Sequence, residues 1–288
     1  MSFLSVENLT CVYGSLDKGT RAAINNISFS LEKGEILGII GHTGSGKSTL
    51  VSHLNGLIKP TSGRVLIDGE DIWKNPKEIK KIRSKVGLVF QYPEYQLFEE
   101  TVYDDIAFGP KNLGVSSDKL DSVVRKAATL MQIDDSVLFK SPFDLSGGQK
   151  RRVAIAGVLA MEPEIVVFDE PTAGLDPIGR ETIFNAISDY QKLKNATVII
   201  VSHSMEDVAA VCDKILVLNK GTVSYFDTVR NVFSKGEELK ALGLGVPQVT
   251  DVFSKIKTVF PDFSYYPLTV EEGIEAVKKY ISKGGMSE

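Results

Sequence analysis

The chain carries two kinds of apolar pattern, and each predicts a different kind of strand. Apolar and polar residues alternate within residues 3–13 and 27–31, which predicts antiparallel strands. Nearly continuous apolar runs predict strands covered on both faces, as in a parallel sheet: Ile36–Ile40, Val86–Phe90, Ile165–Phe168 and Val198–Val201. A further run, Ile215–Leu218, precedes the turn Asn219–Gly221 and predicts a hairpin. Because helical patterns separate the buried strands, the chain is predicted to have an α/β fold.

Apolar residues at helical spacing predict helices in two other regions. Residues 101–109 and 118–132 have this spacing, and residues 92–163 are therefore predicted to form a mostly helical subdomain inserted into the core. The inward face of the second helix is predicted to be Leu120, Val123, Val124, Ala127 and Leu130. Residues 1–236 would then form the main domain, and residues 237–288 a small helical extension. Thr269 and Glu272 predict a capping box in that extension.

Composition and charge exclude several classes of protein. The chain has 288 residues, of which 43% are apolar and 24% charged, as in ordinary soluble domains. A net charge of −4 argues against binding to nucleic acid. Cys11 and Cys212 lie far apart and are predicted to be reduced, which fits a cytosolic protein. No apolar run reaches the roughly 18 residues that a membrane-spanning helix requires, and the first residues do not resemble a signal peptide.

The segment after the first buried run predicts a nucleoside triphosphate site. It has the pattern G-x-x-x-x-G-K-[ST] between a strand and a helix, where glycines let backbone N–H groups surround a phosphate. Lys47 would reach the β- and γ-phosphates, and Ser48 would offer its hydroxyl to Mg²⁺. The predicted phosphate-binding residues are Gly41, His42, Thr43, Gly44, Ser45, Gly46, Lys47, Ser48 and Thr49. Tyr13, at a strand end, could stack on adenine or simply pack there.

Two more strand ends carry candidate catalytic residues. Asp169 and Glu170 directly follow the run Ile165–Phe168. Asp169 is predicted to support Mg²⁺, through water. Glu170 is predicted to act as the general base that deprotonates the attacking water. His203 follows Val198–Val201 at the same edge of the sheet, where it would hydrogen-bond a γ-phosphate; an ordinary surface histidine is the alternative.

A second glycine segment opens another predicted helix. Leu145–Gln149 reads LSGGQ, so exposed N–H groups and a positive helix end would again favour an anion. It has no lysine in the position that Lys47 holds in the first loop. This segment therefore cannot make a complete triphosphate site by itself.

Leu145–Gln149 resembles the signature motif of the ATP-binding-cassette (ABC) ATPases. The glycine loop, Gln91, Asp169–Glu170, Ala173–Asp176 and His203 occur in the order of that family, over about residues 3–235. The resemblance implies a P-loop NTPase core with a parallel sheet, an antiparallel β subdomain and an inserted helical subdomain. It also implies a head-to-tail dimer with two ATP sites at the seam.

The same resemblance assigns roles across that seam. Ser146, Gly147, Gly148 and Gln149 would contact the partner's nucleotide, and Asp176 would bridge the seam. Gln91 would contact Mg²⁺ and water and couple the site to whatever docks on the helical subdomain.

Longer stretches are similar to one branch of the family, the ATPases of energy-coupling-factor (ECF) transporters, and within it to the second of two paralogous A components. They are Gly41–Gly44, Gln91–Val102 and Ser141–Asp144. The similarity implies a heterodimer with the paralogous ATPase, docked on a membrane T component that holds a substrate-binding S component. Vitamins or other micronutrients would be the cargo, and the chain would lie at the cytoplasmic face of the membrane. The C-terminal extension would serve pairing of the two ATPases.

Acidic residues beside the coupling glutamine suggest how the membrane partner is met. Glu94, Glu99 and Glu100 are expected to contact basic residues of that partner. The alternative is a soluble ABC ATPase of DNA repair, chromosome organisation or translation, but no sustained heptads separate Gln91 from Ser146 and only one cassette is present. A P-loop kinase of small molecules would have no use for the LSGGQ segment.

Overall fold

A computed structural model describes residues 2–14, 22–263 and 265–282. The predicted loop Gly14–Thr20 lies outside them from residue 15 onward, as do the last six residues of the predicted extension, 283–288. In chain order the strands are β1 Leu4–Cys11, β2 Ile24–Leu31, β3 Ile36–Ile40, β4 Ser62–Ile67, β5 Glu70–Asp71, β6 Val86–Val89, β7 Ile165–Asp169, β8 Thr197–Val201, β9 Lys214–Asn219 and β10 Thr222–Thr228.

The helices in the described part of the chain alternate with the later strands. They are α1 Lys47–Leu54, α2 Ile79–Lys85, α3 Val102–Asn112, α4 Ser117–Leu130, α5 Gly147–Leu159, α6 Pro177–Lys194, α7 Met205–Val211, α8 Val229–Phe233, α9 Gly236–Ala241, α10 Gln248–Val259 and α11 Val270–Ser282. Among the described residues, none of these helices combines the length and apolar composition needed to cross a membrane.

Two sheets carry the strands, as the two apolar patterns predicted. The alternating segments β1 and β2 pair antiparallel, with β4 and β5 on the other side of β1. The larger sheet has the order β10-β9-β3-β8-β7-β6, and its pairs from β9 to β6 are parallel. Only β10 runs antiparallel, paired to β9 through the predicted hairpin. The α/β prediction is confirmed.

The parallel order brings the carboxyl ends of four strands to one edge. In the register, Val89 of β6 lies beside Phe168 of β7, and Val201 of β8 lies beside both Ile39 of β3 and Asp169. Segments that follow β3, β6, β7 and β8 therefore leave the sheet side by side. These are the segments in which the sequence placed candidate chemistry.

Helices α3, α4 and α5 pack onto one face of the large sheet. A single hydrophobic cluster joins residues of all three helices to Val166, Phe168, Val198 and Ile200 of the sheet. On α4 the predicted inward residues Leu120, Val124 and Ala127 are buried, whereas Val123 and Leu130 are half-buried at its margins. The helices that the spacing of apolar residues predicted are thus present. Their shared core holds them against the strands that end at the site.

The described part of the extension predicted over residues 237–288, residues 237–263 and 265–282, contains most of α9 and all of α10 and α11. Thr269 Oγ1 accepts the Glu272 N–H at 3.3 Å, but the Glu272 carboxylate accepts the N–H of Leu268, at 2.8 Å, and not that of Thr269. The reciprocal bond of the predicted capping box is therefore displaced by one residue. Glu272 also pairs with Arg230 at 2.9 Å, which ties α11 to α8.

Candidate active site

The glycine loop between β3 and α1 has a backbone that only glycine allows. Gly44 and Gly46 have φ angles of 77° and 104°, in the left-handed region. A Cβ on Gly46 would lie 2.7 Å from Cγ2 of Ile24 and 2.8 Å from the carbonyl oxygen of Ala23. Gly46 caps α1 without any side-chain hydrogen bond. The N–H groups of the first helical turn are therefore left for a ligand.

Lys47 lies inside the loop that it follows. Its side chain is only 8% exposed, and Nζ donates to the carbonyl oxygens of Gly41 at 2.6 Å and His42 at 3.2 Å. Burial lowers the pKa of Lys47, while the carboxylates of Glu170 and Asp169 act in the opposite direction. The loop thus wraps around a buried cation beside two acids, an arrangement suited to hold an anion of high charge density.

The two acids at the end of β7 differ in what they contact. Asp169 Oδ2 accepts the hydroxyl of Ser48 at 3.4 Å, and burial raises the pKa of Asp169 against the opposing charge of Lys47. Burial, followed by the charge of Asp169, raises the pKa of Glu170 to about 7. Glu170 Oε1 is buried without a hydrogen-bond partner, and Nε2 of His203 lies 3.5 Å away. A carboxylate with a pKa near neutrality is suited to accept a proton from water.

Glu170 has an unusual backbone as well as an unusual pKa. Its φ angle is 53°, a left-handed value that non-glycine residues seldom adopt and that clusters at functional sites. Tyr92, directly after Gln91, has a φ angle of 55°. Val89 and Phe168 are neighbours in the register of β6 and β7; Gln91 follows Val89 by two residues, as Glu170 follows Phe168, and Gln91 is exposed. The two left-handed residues, Tyr92 and Glu170, begin the loops that follow β6 and β7.

His203 and Tyr13 occupy the places that the sequence predicted, with different degrees of support. The side chain of His203 is half-exposed beside Glu170, and burial together with the charge of Lys47 lowers its pKa, so the neutral imidazole is favoured. Tyr13 is 54% exposed, and its hydroxyl lies 3.2 Å from Oγ1 of Thr49 at the start of α1. Among the described residues its ring is thus more than half exposed beside the phosphate loop, as a stacking residue requires.

His42 makes a contact that the sequence did not predict. Its Nε2 lies 3.2 Å from Oδ1 of Asn219, and its Nδ1 lies 2.8 Å from the carbonyl oxygen of Thr43. The hairpin turn after β9 thereby supports the glycine loop. Asn219 was visible in the sequence only as a turn residue. A cavity of about 450 Å³ lies beside these residues, lined by His42, Gly44, Lys220, Ala22 and Ala23.

The LSGGQ segment forms an exposed helix start that is capped by its own side chains. Ser146 Oγ accepts the Gln149 N–H at 3.3 Å, and Gln149 Oε1 accepts the Ser146 N–H at 3.0 Å. Gly147 has nothing within 4 Å of the position that a Cβ would take, and Gly148 has only Leu175, at 3.8 Å. Asp176, the next residue after Leu175, caps α6 by accepting the Gly179 N–H at 2.7 Å. The residues predicted to act across a seam therefore share one open surface.

One of the acids expected to meet a membrane partner is engaged inside the chain. Glu94 forms a two-pronged pair with Arg151, with Oε1 at 2.6 Å from Nη2 and Oε2 at 2.9 Å from Nε. Burial raises the pKa of Glu94, but the hydrogen bonds and charge of Arg151 outweigh this and leave it below the usual value. The carboxylate of Glu94 is thus paired within the chain, with a residue 57 positions away, and its contact with a membrane partner stays a prediction. Glu99 and Glu100 remain half-buried and exposed, respectively.

Comparisons with known proteins agree with this geometry. Residues 24–173 match the ABC transporter family. The energy-coupling factor transporter ATP-binding protein EcfA2 of Acetivibrio thermocellus is 50% identical over 97% of this chain and 99% of its own length. The structure of cbiO1 from Clostridium perfringens, described as part of the ABC transporter complex cbiONQ, is 37% identical, with a TM-score of 0.74 over 90% of this chain and 96% of its own.

A second solved structure bears on assembly. It is the dimeric, post-hydrolysis state of the ATP-binding cassette MJ0796 bound to ADP and Pi. That chain is 28% identical, with a TM-score of 0.70 over 79% of this chain and 99% of its own.

Proposed function

The chain belongs to the ABC transporter family and, within it, to the energy-coupling factor transporter ATP-binding proteins, and we propose that it is the second A component of such a transporter. As an ABC ATPase it binds ATP and couples the hydrolysis of ATP to transport. The observation that carries the proposal is the 50% identity to an EcfA2 protein across 97% of the chain.

Within its own chain the site holds the nucleotide and activates water. Lys47 and the free N–H groups at the start of α1 would bind the β- and γ-phosphates, while Tyr13 would stack on the base. Glu170 accepts a proton from the attacking water, for which its raised pKa and unpartnered Oε1 are suited. His203, neutral and 3.5 Å from Glu170, would donate a hydrogen bond to the γ-phosphate.

The same site has the donor set that Mg²⁺ prefers. Ser48 and Asp169 present a hydroxyl and a carboxylate oxygen 3.4 Å apart, and Gln91 adds an amide oxygen at the neighbouring strand end. Asp169 and Glu170 are half-buried carboxylates with raised pKa values, and a bound cation would favour their charged forms. Bound Mg²⁺ would neutralise charge on the phosphates. Ser48, Asp169 and Gln91 would hold and orient it.

The rest of each ATP site would come from a second cassette. Ser146, Gly147 and Gly148, with Asp176 beside them, would meet the nucleotide of a paralogous ATPase in a head-to-tail heterodimer. Their open surface and the dimeric assembly of MJ0796 support this arrangement. Gln149 would act indirectly, because its side chain already holds Ser146 in place.

A groove on the helical region suits the membrane T component. It encloses about 420 Å³ next to the Gln91 segment, and Phe98 and Phe108 line it with their rings 4.9 Å apart. Asp105 lies in its wall: Oδ1 accepts two backbone N–H groups, but Oδ2 is buried without a partner, and burial raises its pKa. A basic residue of the T component would complete this carboxylate. The chain would then be a peripheral subunit on the cytoplasmic face of the membrane, next to a T component that holds the S component.

Co-purification tests the proposal directly. The tagged chain, expressed with its neighbours and extracted from membranes in mild detergent, should retain a paralogous ATPase, a T component and an S component identifiable by mass spectrometry. Asp105→Asn should weaken retention of the T component, whereas Asp118→Asn on the exposed start of α4 should not. Recovery of an active ATPase without any membrane protein would support the soluble alternative instead.

A further inference from the structure

The side chain of Arg151 joins three segments that carry the proposed chemistry. It lies on α5, two residues after Gln149, and it is 3% exposed. Its Nε and Nη2 bind Glu94, which follows Gln91 by three residues, and its Nη1 binds the carbonyl oxygens of Pro171, at 3.5 Å, and Ala173. All three nitrogens of the guanidinium are thus directed at segments other than its own.

We propose that Arg151 is a positioning residue that ties the Gln91 segment, the Glu170–Asp176 segment and the LSGGQ helix into one unit, so that docking beside Gln91 changes hydrolysis. It touches neither the substrate nor the metal in the proposed site. Its role is to set where Gln91, Glu170 and the LSGGQ residues stand relative to one another. This inference rests on the proposed function and concerns how its parts communicate.

The backbone of both loops supports the assignment. Tyr92 and Glu170, with φ angles of 55° and 53°, begin the two loops that Arg151 binds. Left-handed non-glycine residues persist only where the surroundings impose them. Arg151 bonds to Glu94, two residues after Tyr92, and to Pro171, one residue after Glu170, and its Cζ lies 5.6 Å from the ring centre of Tyr92. It therefore contacts each loop directly beside the residue with the unusual conformation.

The connection to LSGGQ is rigid because it runs through helix backbone. The Lys150 N–H donates to the carbonyl oxygen of Ser146 at 2.9 Å, so Ser146 and Arg151 belong to the same opening turns of α5. A displacement of Glu94 by a docked partner would thus move Ser146 and its glycines, which face the second ATPase. A planar, forked guanidinium is needed because it must bind Glu94 on one side and the carbonyl oxygens after Glu170 on the other. A lysine ammonium is a single point charge without that geometry.

Paired substitutions separate positioning from stability. Arg151→Met leaves Glu94 buried without a partner and should lower Tm, as should Glu94→Met through Arg151. The double variant replaces the pair by apolar side chains of similar volume, so its Tm should recover most of that loss, although the carbonyl oxygens of Pro171 and Ala173 lose the Arg151 donor. If the pair positions the three segments, kcat of the double variant in the assembled transporter should still fall by up to about 10²-fold, the effect of misplacing catalytic groups by about 1 Å. The KM for ATP should stay unchanged, because the phosphate loop is intact.

Two further variants keep the test decisive. Glu94→Gln retains the shape and one acceptor oxygen, and it should lower kcat with an unchanged KM even if the double variant folds poorly. Arg125→Met removes a half-exposed arginine that pairs with Asp121 and Asp135 on the same helical region, and it should change neither kcat nor Tm. Wild-type kcat in a double variant of recovered Tm, or in a folded Glu94→Gln variant, would overturn the proposal.

Glu170→Gln, assayed in the same assembly, distinguishes failure of the proposal from failure of the proposed function. Normal hydrolysis by Glu170→Gln would refute the catalytic assignment itself. Loss of hydrolysis in Glu170→Gln together with wild-type kcat in the Arg151 and Glu94 variants would refute only the positioning role.

Discussion

The phosphate loop and the LSGGQ segment both place glycines at the start of a helix. They differ in the structural reason for glycine. In the phosphate loop, a Cβ on Gly46 would collide with Ile24 and Ala23 of the same chain. In the LSGGQ segment, the Cβ position of Gly147 is open, and no left-handed angle is required there. The fold explains the first glycine and leaves the second without an internal reason.

The N-terminal caps of α1 and α5 also differ. Helix α1 begins at Lys47 without a side-chain cap, and Lys47 folds back over its loop. Helix α5 is capped reciprocally by Ser146 and Gln149. The first is built to enclose an anion within one chain, whereas the second is a finished, exposed surface suited to approach a phosphate held elsewhere. This contrast supports the proposal that the chain contributes one half of each of two ATP sites.

The largest effect on hydrolysis is expected from a substitution beside the phosphate loop. Glu170→Gln removes the proton acceptor but keeps the shape of the side chain, so hydrolysis should fall by about 10²–10⁴-fold while ATP remains bound in a closed dimer. Phosphate release and nucleotide retention by the purified heterodimer measure both quantities. Glu164→Gln, at a half-exposed glutamate that pairs with Lys33 and Lys85, serves as the control. Near-normal turnover of Glu170→Gln would refute the role of Glu170 as the proton acceptor.

Ser146→Arg tests the exposed side. A bulky cation at the helix start should exclude the partner's γ-phosphate from these N–H groups and lower hydrolysis at that site by about 10²-fold, as loss of a charge-stabilising donor does. The affinity of this chain's own loop for ATP should be unchanged. Binding of a fluorescent ATP analogue to the separate chain and hydrolysis by the heterodimer give the two numbers, with Ser122→Arg on exposed α4 as the control. A weakened affinity in the separate chain would assign the segment to its own nucleotide.

Tyr13→Ala should weaken ATP binding by about 5- to 150-fold, the effect of losing one stacked base at about 1–3 kcal/mol. Tyr13→Phe keeps the ring and loses only the hydroxyl near Thr49, so its affinity should stay close to that of the wild type. Titration calorimetry of both variants measures their affinities for ATP. Equal affinities of Tyr13→Ala and the wild type would leave Tyr13 a packing residue.

The smallest effects test the glycines themselves. Gly46→Ala should lower the stability of the fold by about 1–2 kcal/mol or more, because its left-handed angle disfavours a Cβ and the Cβ also collides with β2. Gly147→Ala should leave Tm unchanged or slightly raised, since alanine is favoured in helices, and yet lower hydrolysis by the heterodimer. Thermal unfolding of both variants, followed by hydrolysis assays, gives the result. A fall in Tm for Gly147→Ala comparable to that of Gly46→Ala would remove the distinction drawn between the two segments.

Local patterns predicted most of the fold because each strand and helix was encoded within its own length. The buried runs became the parallel strands, and their ends differ from the predicted ones by at most one residue. The end of an element is harder to predict from such a pattern. Leu57, which has the helical spacing of Leu50 and Leu54, lies beyond the end of α1 and is exposed. A turn that ends a helix depends on contacts that spacing alone does not contain.

The sequence by itself determined the anion-binding loop, the acids at the end of β7 and the family, because each is a pattern of residue types within a few positions. Only the tertiary structure decided that Glu94 pairs with Arg151, that His42 contacts Asn219, and that Glu170 has a pKa of about 7. These features depend on burial and on partners distant in sequence. The two glycine segments are an example. The sequence alone shows their shared pattern, but whether each glycine serves its own chain or another depends on the atoms around it in the folded protein.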